Sequence, residues 1–164
     1  EVVELLVRRL RLAQVGFASV DEDRIAFHRR WHMLDGTVRM NPGRNNPDLV
    51  EPVGLTDPEL VMMYVEGVDG TPISASASFS LHYVGTDNSQ AISPDYFGHF
   101  FRLMRHYLGD GCVPMLWNAA SGQINNNDFS GRTVWKDPGH RQGIRMANVL
   151  AGHMITEIQL YGDA

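Results

Sequence analysis

The sequence contains a single cysteine, Cys112, which excludes an internal disulfide framework and a zinc site built from several cysteines. It also lacks any apolar run of the roughly 18 residues that a membrane-spanning helix requires. The 14 lysines and arginines are outnumbered by 19 aspartates and glutamates, and the net charge of −5 argues against nucleic acid as a partner. What remains is an ordinary globular composition, 43% hydrophobic and 20% charged, without repeats or low-complexity tracts.

A chain of 164 residues fits one domain spanning 1–164, or a part of a larger one. It begins at Glu1 without a methionine or a signal peptide, inside a segment with a helical pattern. We therefore expect an internal fragment of a longer protein. The sequence does not select among the secreted, periplasmic and cytoplasmic compartments, and it specifies no oligomeric state.

The clearest pattern lies in residues 72–83, where apolar residues alternate strictly with four serines and His82. Alternation with a period of two predicts a strand with one apolar and one polar face. His82 falls on the serine face at the end of this strand. The turn Val68-Asp69-Gly70-Thr71 predicts a hairpin that pairs residues 60–66 with residues 72–83.

Other patterns predict three helices, at residues 1–14, from Ser93 to about Leu108, and after Asp137-Pro138. The first would bury Val3, Leu10 and Ala13, together with Leu6 or Val7. The third would bury a face formed by Ile144, Ala147, Ala151, Ile155 and Ile158. Strands are predicted at 15–20, 24–33 and 112–117, and loops at 34–58 and 119–136. The order of elements indicates an α/β or α+β fold, with helices packed on a mixed sheet.

Two further features invite a chemical interpretation. His28 and His32 share a face whether the segment is a helix or a strand, but the glutamate of a zinc-peptidase motif is missing between them. Hydrogen-bonded or exposed histidines are the alternative. Ser121-Gly122 resembles part of a nucleophile elbow, although the glycine before the serine is absent. The polar loop around Asn125 follows a buried strand, which is where sheets covered by helices bind ligands.

Four motifs in a fixed order carry a family resemblance. They are Asp57-Pro58-Glu59, the strand ending in His82, the segment 92–98 (ISPDYFG) and the segment 115–125 (MLWNAASGQIN). The upstream piece 27–31 (FHRRW) adds to them. Together these stretches resemble the neutral/alkaline non-lysosomal ceramidase family over roughly residues 20–130.

The resemblance implies a zinc-dependent amidohydrolase that cleaves a ceramide-like N-acyl amide lipid, and thus a role in sphingolipid metabolism. Zinc in such an enzyme lowers the pKa of a bound water, whose hydroxide attacks the amide carbonyl. The resemblance makes His82 a zinc ligand and Arg29 a residue that holds the substrate or the developing oxyanion. It places Asn125 at the catalytic position where ceramidases proper carry a serine. The substrate-binding residues would be Arg29, Asn118, Ser121 and Gly122.

The sequence departs from the family pattern at Tyr83, Ala119, Gln123 and Asn126, where relatives carry proline, glycine, aspartate and proline. The remaining zinc ligands would lie upstream of residue 1 and downstream of Ala164, so this chain alone is expected to be inactive. Two hypotheses follow. The chain is the central part of a ceramidase-like hydrolase, or it is a catalytically inactive ceramidase-like domain that binds a ligand or a protein.

Overall fold

The computed structural model describes residues 2–83, 90, 92–132 and 139–162. Within these ranges the helices are α1 (Val2–Val7), α2 (Asp95–Leu108) and α3 (Gly139–Gly162). The strands are β1 (Ala13–Asp21), β2 (Phe27–His28), β3 (Arg30–Met33), β4 (Val38–Met40), β5 (Leu49–Pro52), β6 (Glu59–Gly67), β7 (Pro72–Phe79), β8 (Val113–Asn118) and β9 (Ile124–Asn125).

The main sheet has four strands in the order β1-β6-β7-β8. The pairs β1–β6 and β6–β7 are antiparallel, and β6 and β7 form the predicted hairpin with Val61 opposite Ser78. β8 instead pairs with β7 in parallel, and α2 lies between them in the sequence. A parallel neighbour requires such a crossover, since its strand must start again from the same end of the sheet. The mixed sheet predicted from the order of elements is therefore confirmed.

One face of the main sheet packs against α2 and α3. The alanines of β7 and their neighbours on β6 point to this face, where Ala75 lies opposite Tyr64 and Ala77 lies opposite Met62. Phe100 of α2 is fully buried there. Each large apolar side chain buried in this way contributes on the order of 1.5–3 kcal/mol to stability, so this layer holds the domain together.

The opposite face of the main sheet carries small polar side chains at its centre and large apolar ones at its flanks. Its centre is a row of serines on β7, formed by Ser74, Ser76 and Ser78. Phe17 on one flank is 74% exposed and Trp117 on the other is 51% exposed. The period-two pattern thus predicts the two faces of the sheet correctly. One face is packed with helices, and the other carries small polar side chains between apolar flanks.

Two small sheets lie beside the main one. β2 pairs with β9, and β3 lies between β4 and β5. The second sheet has its own apolar cluster, formed by Trp31, Met33 and Phe129 with Leu49 packed on it. The Trp31 indole nitrogen donates to the His28 carbonyl oxygen over 3.1 Å, which ties the two small sheets to each other.

A buried carboxylate links the segment after β1 to α3. Glu22 is 1% exposed, and its carboxylate accepts hydrogen bonds from the Arg24 backbone, the Arg24 guanidinium and the His153 ring. Burial by itself raises the pKa of Glu22, but these hydrogen bonds outweigh it and lower the pKa to about 2. Glu22 is therefore charged at neutral pH, and its charge is compensated on two sides.

The helix predictions at both ends of the chain need correction. The first helix ends at Val7 rather than near residue 14, and its predicted core residues Val3 and Leu10 are exposed. In α3, Ala147 and Ala151 are buried as predicted, but Ile144 is 39% exposed. The buried face is instead centred on methionines and Leu150, because apolar residues occupy two adjacent stripes of this helix. Its predicted start at Asp137-Pro138 lies outside the described residues.

The strand at residues 72–83 is shorter than the alternation predicts. β7 ends at Phe79, and a tight turn follows in which the Leu81 backbone N–H donates to the Phe79 carbonyl oxygen over 2.9 Å. The predicted loops at 34–58 and 119–136 contain the short strands β4, β5 and β9. Among the described residues, no helix is both long and apolar enough to cross a membrane.

Candidate active site

The carboxyl ends of β7 and β8 lie at the same edge of the sheet because the two strands run parallel. The segments that follow them meet at this edge. The Ala119 backbone N–H donates to the Phe79 carbonyl oxygen over 3.0 Å, and the His82 N–H donates to the Ile124 carbonyl oxygen over 3.2 Å. Such an edge is the usual place for a ligand site in a sheet covered by helices.

His82 lies in this junction, three residues beyond the end of β7. Its side chain is half-buried, and its ring is tilted against Tyr83 with centroids 5.6 Å apart. Tyr83 in turn packs edge-on against Phe97 of α2. Among the described residues, the His82 imidazole has the contact with the Tyr83 ring and no hydrogen bond. The predicted position at a strand end is close to the observed one, although His82 belongs to the loop.

The peptide group that joins Leu81 to His82 is held from several sides. The Leu81 carbonyl oxygen accepts a hydrogen bond of 2.9 Å from the Tyr96 hydroxyl and a second one from the Asn118 side-chain amide. Tyr96 is 1% exposed and stacks on Phe97 at 4.2 Å between centroids. Burial, with the nearby charge of Asp95, raises the pKa of Tyr96, so the hydroxyl keeps its proton and remains a donor.

Arg29 reaches the same edge from the end of β2. Its backbone N–H donates to the Gln123 carbonyl oxygen over 2.8 Å, and its guanidinium donates to the Gly122 carbonyl oxygen. The Nε atom of Arg29 is buried and has no hydrogen-bond partner among the described residues. The structure therefore brings Arg29 onto the polar loop that the sequence pattern indicates.

The loop itself is fixed largely through Asn125. Residues 27 and 28 pair with Asn125 and Ile124 in the β2–β9 sheet. The Asn125 amide donates to Asn41 Oδ1 over 3.2 Å, and its own oxygen accepts the Asn127 backbone N–H over 2.9 Å. Asn125 is buried, so its side chain serves the conformation of the loop.

Ser121 and Gly122 form the outer part of this loop. The Ser121 carbonyl oxygen accepts the Ile124 backbone N–H over 2.9 Å and closes a tight turn. Ser121 is half-buried, and Gly122 is exposed with open space where a Cβ would lie. A side chain at Gly122 would therefore meet no atom of the described chain, which leaves room above the loop for a ligand.

The histidine pair of the sequence does not form a common site. His28 is buried and its Nδ1 lies 3.0 Å from the Arg30 carbonyl oxygen, whereas His32 is exposed on β3. In the described part of the chain, no group of three histidine, cysteine, aspartate or glutamate side chains could hold a metal ion. The interpretation of hydrogen-bonded or exposed histidines therefore describes this pair.

A large open cavity of about 1300 Å³ lies beside β2, β3 and β5. Phe27, His28 and Trp31 line it, together with the buried carboxylate of Asp128. His82 and the Ser121–Gly122 turn do not. No periodic pattern predicts this cavity, although Phe27, His28 and Trp31 belong to the segment 27–31 of the family resemblance.

The sequence patterns predict neither the hydrogen bond of Tyr96 to the Leu81 oxygen nor the burial of Glu22. Tyr96 lies in the segment 92–98, whose other members prepare the start of α2. The Ser93 hydroxyl accepts the Asp95 backbone N–H over 3.0 Å, and a Cβ on Gly98 would lie 2.3 Å from Pro94 Cγ. The motif at 92–98 is therefore the sequence feature that points to Tyr96, because its neighbouring small and polar residues make the specific contacts that begin α2.

Comparison with solved structures identifies ceramidases as similar folds. A structure described as a ceramidase complexed with C2 has a TM-score of 0.68, and neutral ceramidase from Pseudomonas aeruginosa has one of 0.61. The sequence identities are 17% and 19%, and each match covers 93% of this chain. The chain spans 23% and 24% of the length of those two chains. No family profile and no curated protein matches the sequence. The chain therefore has the fold of about one quarter of a ceramidase.

Proposed function

We propose that this chain is the central part of the catalytic domain of a zinc-dependent amidohydrolase that cleaves the N-acyl amide of a ceramide-like lipid. The observation that carries the proposal is the junction at the carboxyl ends of β7 and β8. His82, Arg29 and the Ser121–Gly122 turn meet there, and Arg29 and Gly122 are 93 residues apart in sequence. Each of them belongs to a different motif of the family resemblance, so their meeting at one sheet edge supports a common site.

The described residues do not form a zinc site by themselves, because they contain no suitable group of three ligands. Catalytic zinc usually has three protein ligands and one open position. In the proposal His82 supplies one of them, and the longer protein supplies the others. The roles assigned to the remaining residues below therefore concern only contacts that this chain can make.

Arg29 is proposed to hold the substrate or the oxyanion that develops on its carbonyl. Its guanidinium already lies against the Gly122 carbonyl oxygen, and its buried Nε has no partner in the described chain. The Nε atom is out of reach of a ligand, but the hydrogen bond of the terminal guanidinium nitrogen lies at the exposed surface, where a ligand oxygen could approach this end of the side chain. A preorganised cation at a developing negative charge is also among the larger contributions to catalysis.

The polar loop is proposed to line the substrate site. Ser121 and Gly122 offer open space and backbone groups, and Asn118 lies at the end of β8 beside them. Asn125 supports the reaction by fixing the loop through Asn41, and it carries no hydroxyl that could act as a nucleophile. In the proposal the amide is therefore attacked by zinc-activated water rather than by the side chain at position 125.

The test uses the longest protein that contains this chain, assayed for zinc content and for hydrolysis of a panel of N-acyl amides that includes ceramides of several acyl lengths. We expect about one zinc per chain, because one ligand set of three or four residues binds one ion. His82→Ala should lower activity by about 100-fold or more, since even outer contacts of a zinc site cost 10–100-fold. His32→Ala is the matched control, because His32 is exposed and lies outside the site.

Hydrolysis that survives His82→Ala in a protein without zinc would contradict the proposal. A protein that binds ceramides but shows no turnover with zinc supplied would favour the inactive binding domain instead. Turnover that is lost in His82→Ala and kept in His32→Ala would exclude that second function.

A further inference from the structure

The peptide group between Leu81 and His82 is the most heavily anchored backbone unit at the candidate active site. Its oxygen accepts hydrogen bonds from Tyr96 and Asn118, and its N–H donates to the Ile124 carbonyl oxygen. These three partners lie on α2, at the end of β8 and on β9. One peptide group thus forms hydrogen bonds to three separate elements.

These three hydrogen bonds restrict the position of the His82 side chain, because the side chain is attached to the same peptide group. A peptide group is planar and rigid, so holding its oxygen and its N–H fixes the direction in which the next Cα lies. That Cα belongs to His82, whose imidazole contacts the Tyr83 ring and has no hydrogen bond to the described residues. The fixed peptide group sets where the side chain starts, and the contact with Tyr83 restricts the half-buried ring itself.

The two donors to the Leu81 oxygen differ in surroundings. Tyr96 is 1% exposed and stacked on Phe97, so water cannot easily replace its hydroxyl. Asn118 is exposed, and only its amide reaches inward to the Leu81 oxygen. Each can therefore be removed by a conservative change, one in the interior and one at the surface.

We propose that Tyr96 and Asn118 are positioning residues that hold the His82 backbone, and through it the imidazole, in the orientation required for metal binding. The consequence for metal binding rests on the proposed function, whereas the hold on the peptide group does not. Tyr96 thus acts on the site through the Leu81 oxygen, although its own side chain is buried in the core.

The first measurement is amide hydrogen exchange of the chain by NMR in Tyr96→Phe and Asn118→Ala. Each change should speed exchange at the His82 amide about tenfold, as expected for the loss of one hydrogen bond, and should leave the amides of β6 unchanged. Tyr107→Phe is the matched control, because this tyrosine lies on the same helix and is 42% exposed. If Tyr96→Phe fails to fold, Asn118→Ala alone decides the question.

The second measurement is the dissociation constant for zinc of the longer protein, obtained by competition with a chromophoric chelator. Both variants should weaken zinc binding about tenfold, within the range found for outer contacts of metal sites, and Tyr107→Phe should not. Unchanged exchange at His82, or an equal rise at His82 and in β6, would overturn the positioning role. Faster exchange at His82 with unaltered zinc affinity would overturn it as well.

The two proposals fail in different ways. A wild-type longer protein that binds no zinc and hydrolyses no amide refutes the proposed function, and the exchange rates then still decide whether Tyr96 and Asn118 hold His82. A zinc-dependent amidase with unaltered exchange in both variants refutes only the positioning.

Discussion

Replacement of Glu22 by glutamine should lower the stability of the chain in a pH-dependent way. The carboxylate is 1% exposed, and hydrogen bonds from Arg24 and His153 lower its pKa from 4.5 to about 2. Each pKa unit corresponds to about 1.4 kcal/mol, so the charged form contributes roughly 3 kcal/mol at neutral pH. Glutamine keeps the shape of the side chain but loses the charge.

The sign follows from the direction of the shift. A pKa that is lower in the folded state gives stability that is fully present above about 4.5 and is lost as pH falls towards about 2. The difference between wild type and Glu22→Gln should thus be roughly 3 kcal/mol at pH 7 and less than half of that at pH 3. Urea denaturation at both pH values, followed by circular dichroism, measures this difference directly.

Glu59→Gln is the control, because Glu59 is exposed on the neighbouring strand β6. An exposed site of this kind should change stability by less than about 0.5 kcal/mol at either pH. The reasoning would be refuted if Glu22→Gln were as stable as wild type at pH 7, or if its deficit were the same at pH 3.

Two further predictions concern the packing around α2. Gly98→Ala should destabilise the chain by about 1–3 kcal/mol, because its Cβ would lie 2.3 Å from Pro94 Cγ, whereas Gly152→Ala meets open space and should stabilise α3 by up to about 1 kcal/mol. Thermal melts of the two variants should shift in opposite directions, and a common direction would contradict the packing argument. Phe100→Ala should cost about 3–5 kcal/mol because Phe100 is fully buried, and the half-buried Phe101 should cost less when truncated. Equal losses in urea denaturation would show that burial does not set the difference.

The strand and helix predictions that the structure confirms rest on patterns that are compatible with one type of element and one buried face. In β7, residues such as Ala75 and Ser74 differ sharply in polarity, so the sequence distinguishes the packed face from the serine face. Helix α2 has a serine and a proline before it and Gly109 after it, and each marks a boundary. Where two stripes of a helix are both apolar, as around Ile144 in α3, periodicity cannot select the buried one.

The features that were predicted wrongly, or not predicted, depend on contacts between segments far apart in the sequence. Val3 and Leu10 have the spacing of a buried helix face, but α1 ends at Val7 and both residues are exposed. The parallel pairing of β7 with β8 is likewise set by the crossover through α2, which no local pattern records. It is this pairing that brings Asn118 to the Leu81 oxygen, so the candidate site could be located from motifs while its internal contacts could not.

The meeting of three segments at one sheet edge also determines how the site is assembled and lost. The contacts of Tyr96 and Asn118 with Leu81 close chain segments of 15 and 37 residues, whereas the contact of Arg29 with Gly122 closes one of 93. Loop-closure entropy makes direct formation of the arginine contact roughly 1.5 kcal/mol more costly than that of Tyr96. Pairing of β2 with β9, which places Phe27 opposite Asn125, holds the two ends of this long segment together. The arginine half of the site therefore depends on the two-stranded β2–β9 sheet, and loss of this pairing would release Arg29 while Tyr96 and Asn118 still hold the Leu81 oxygen.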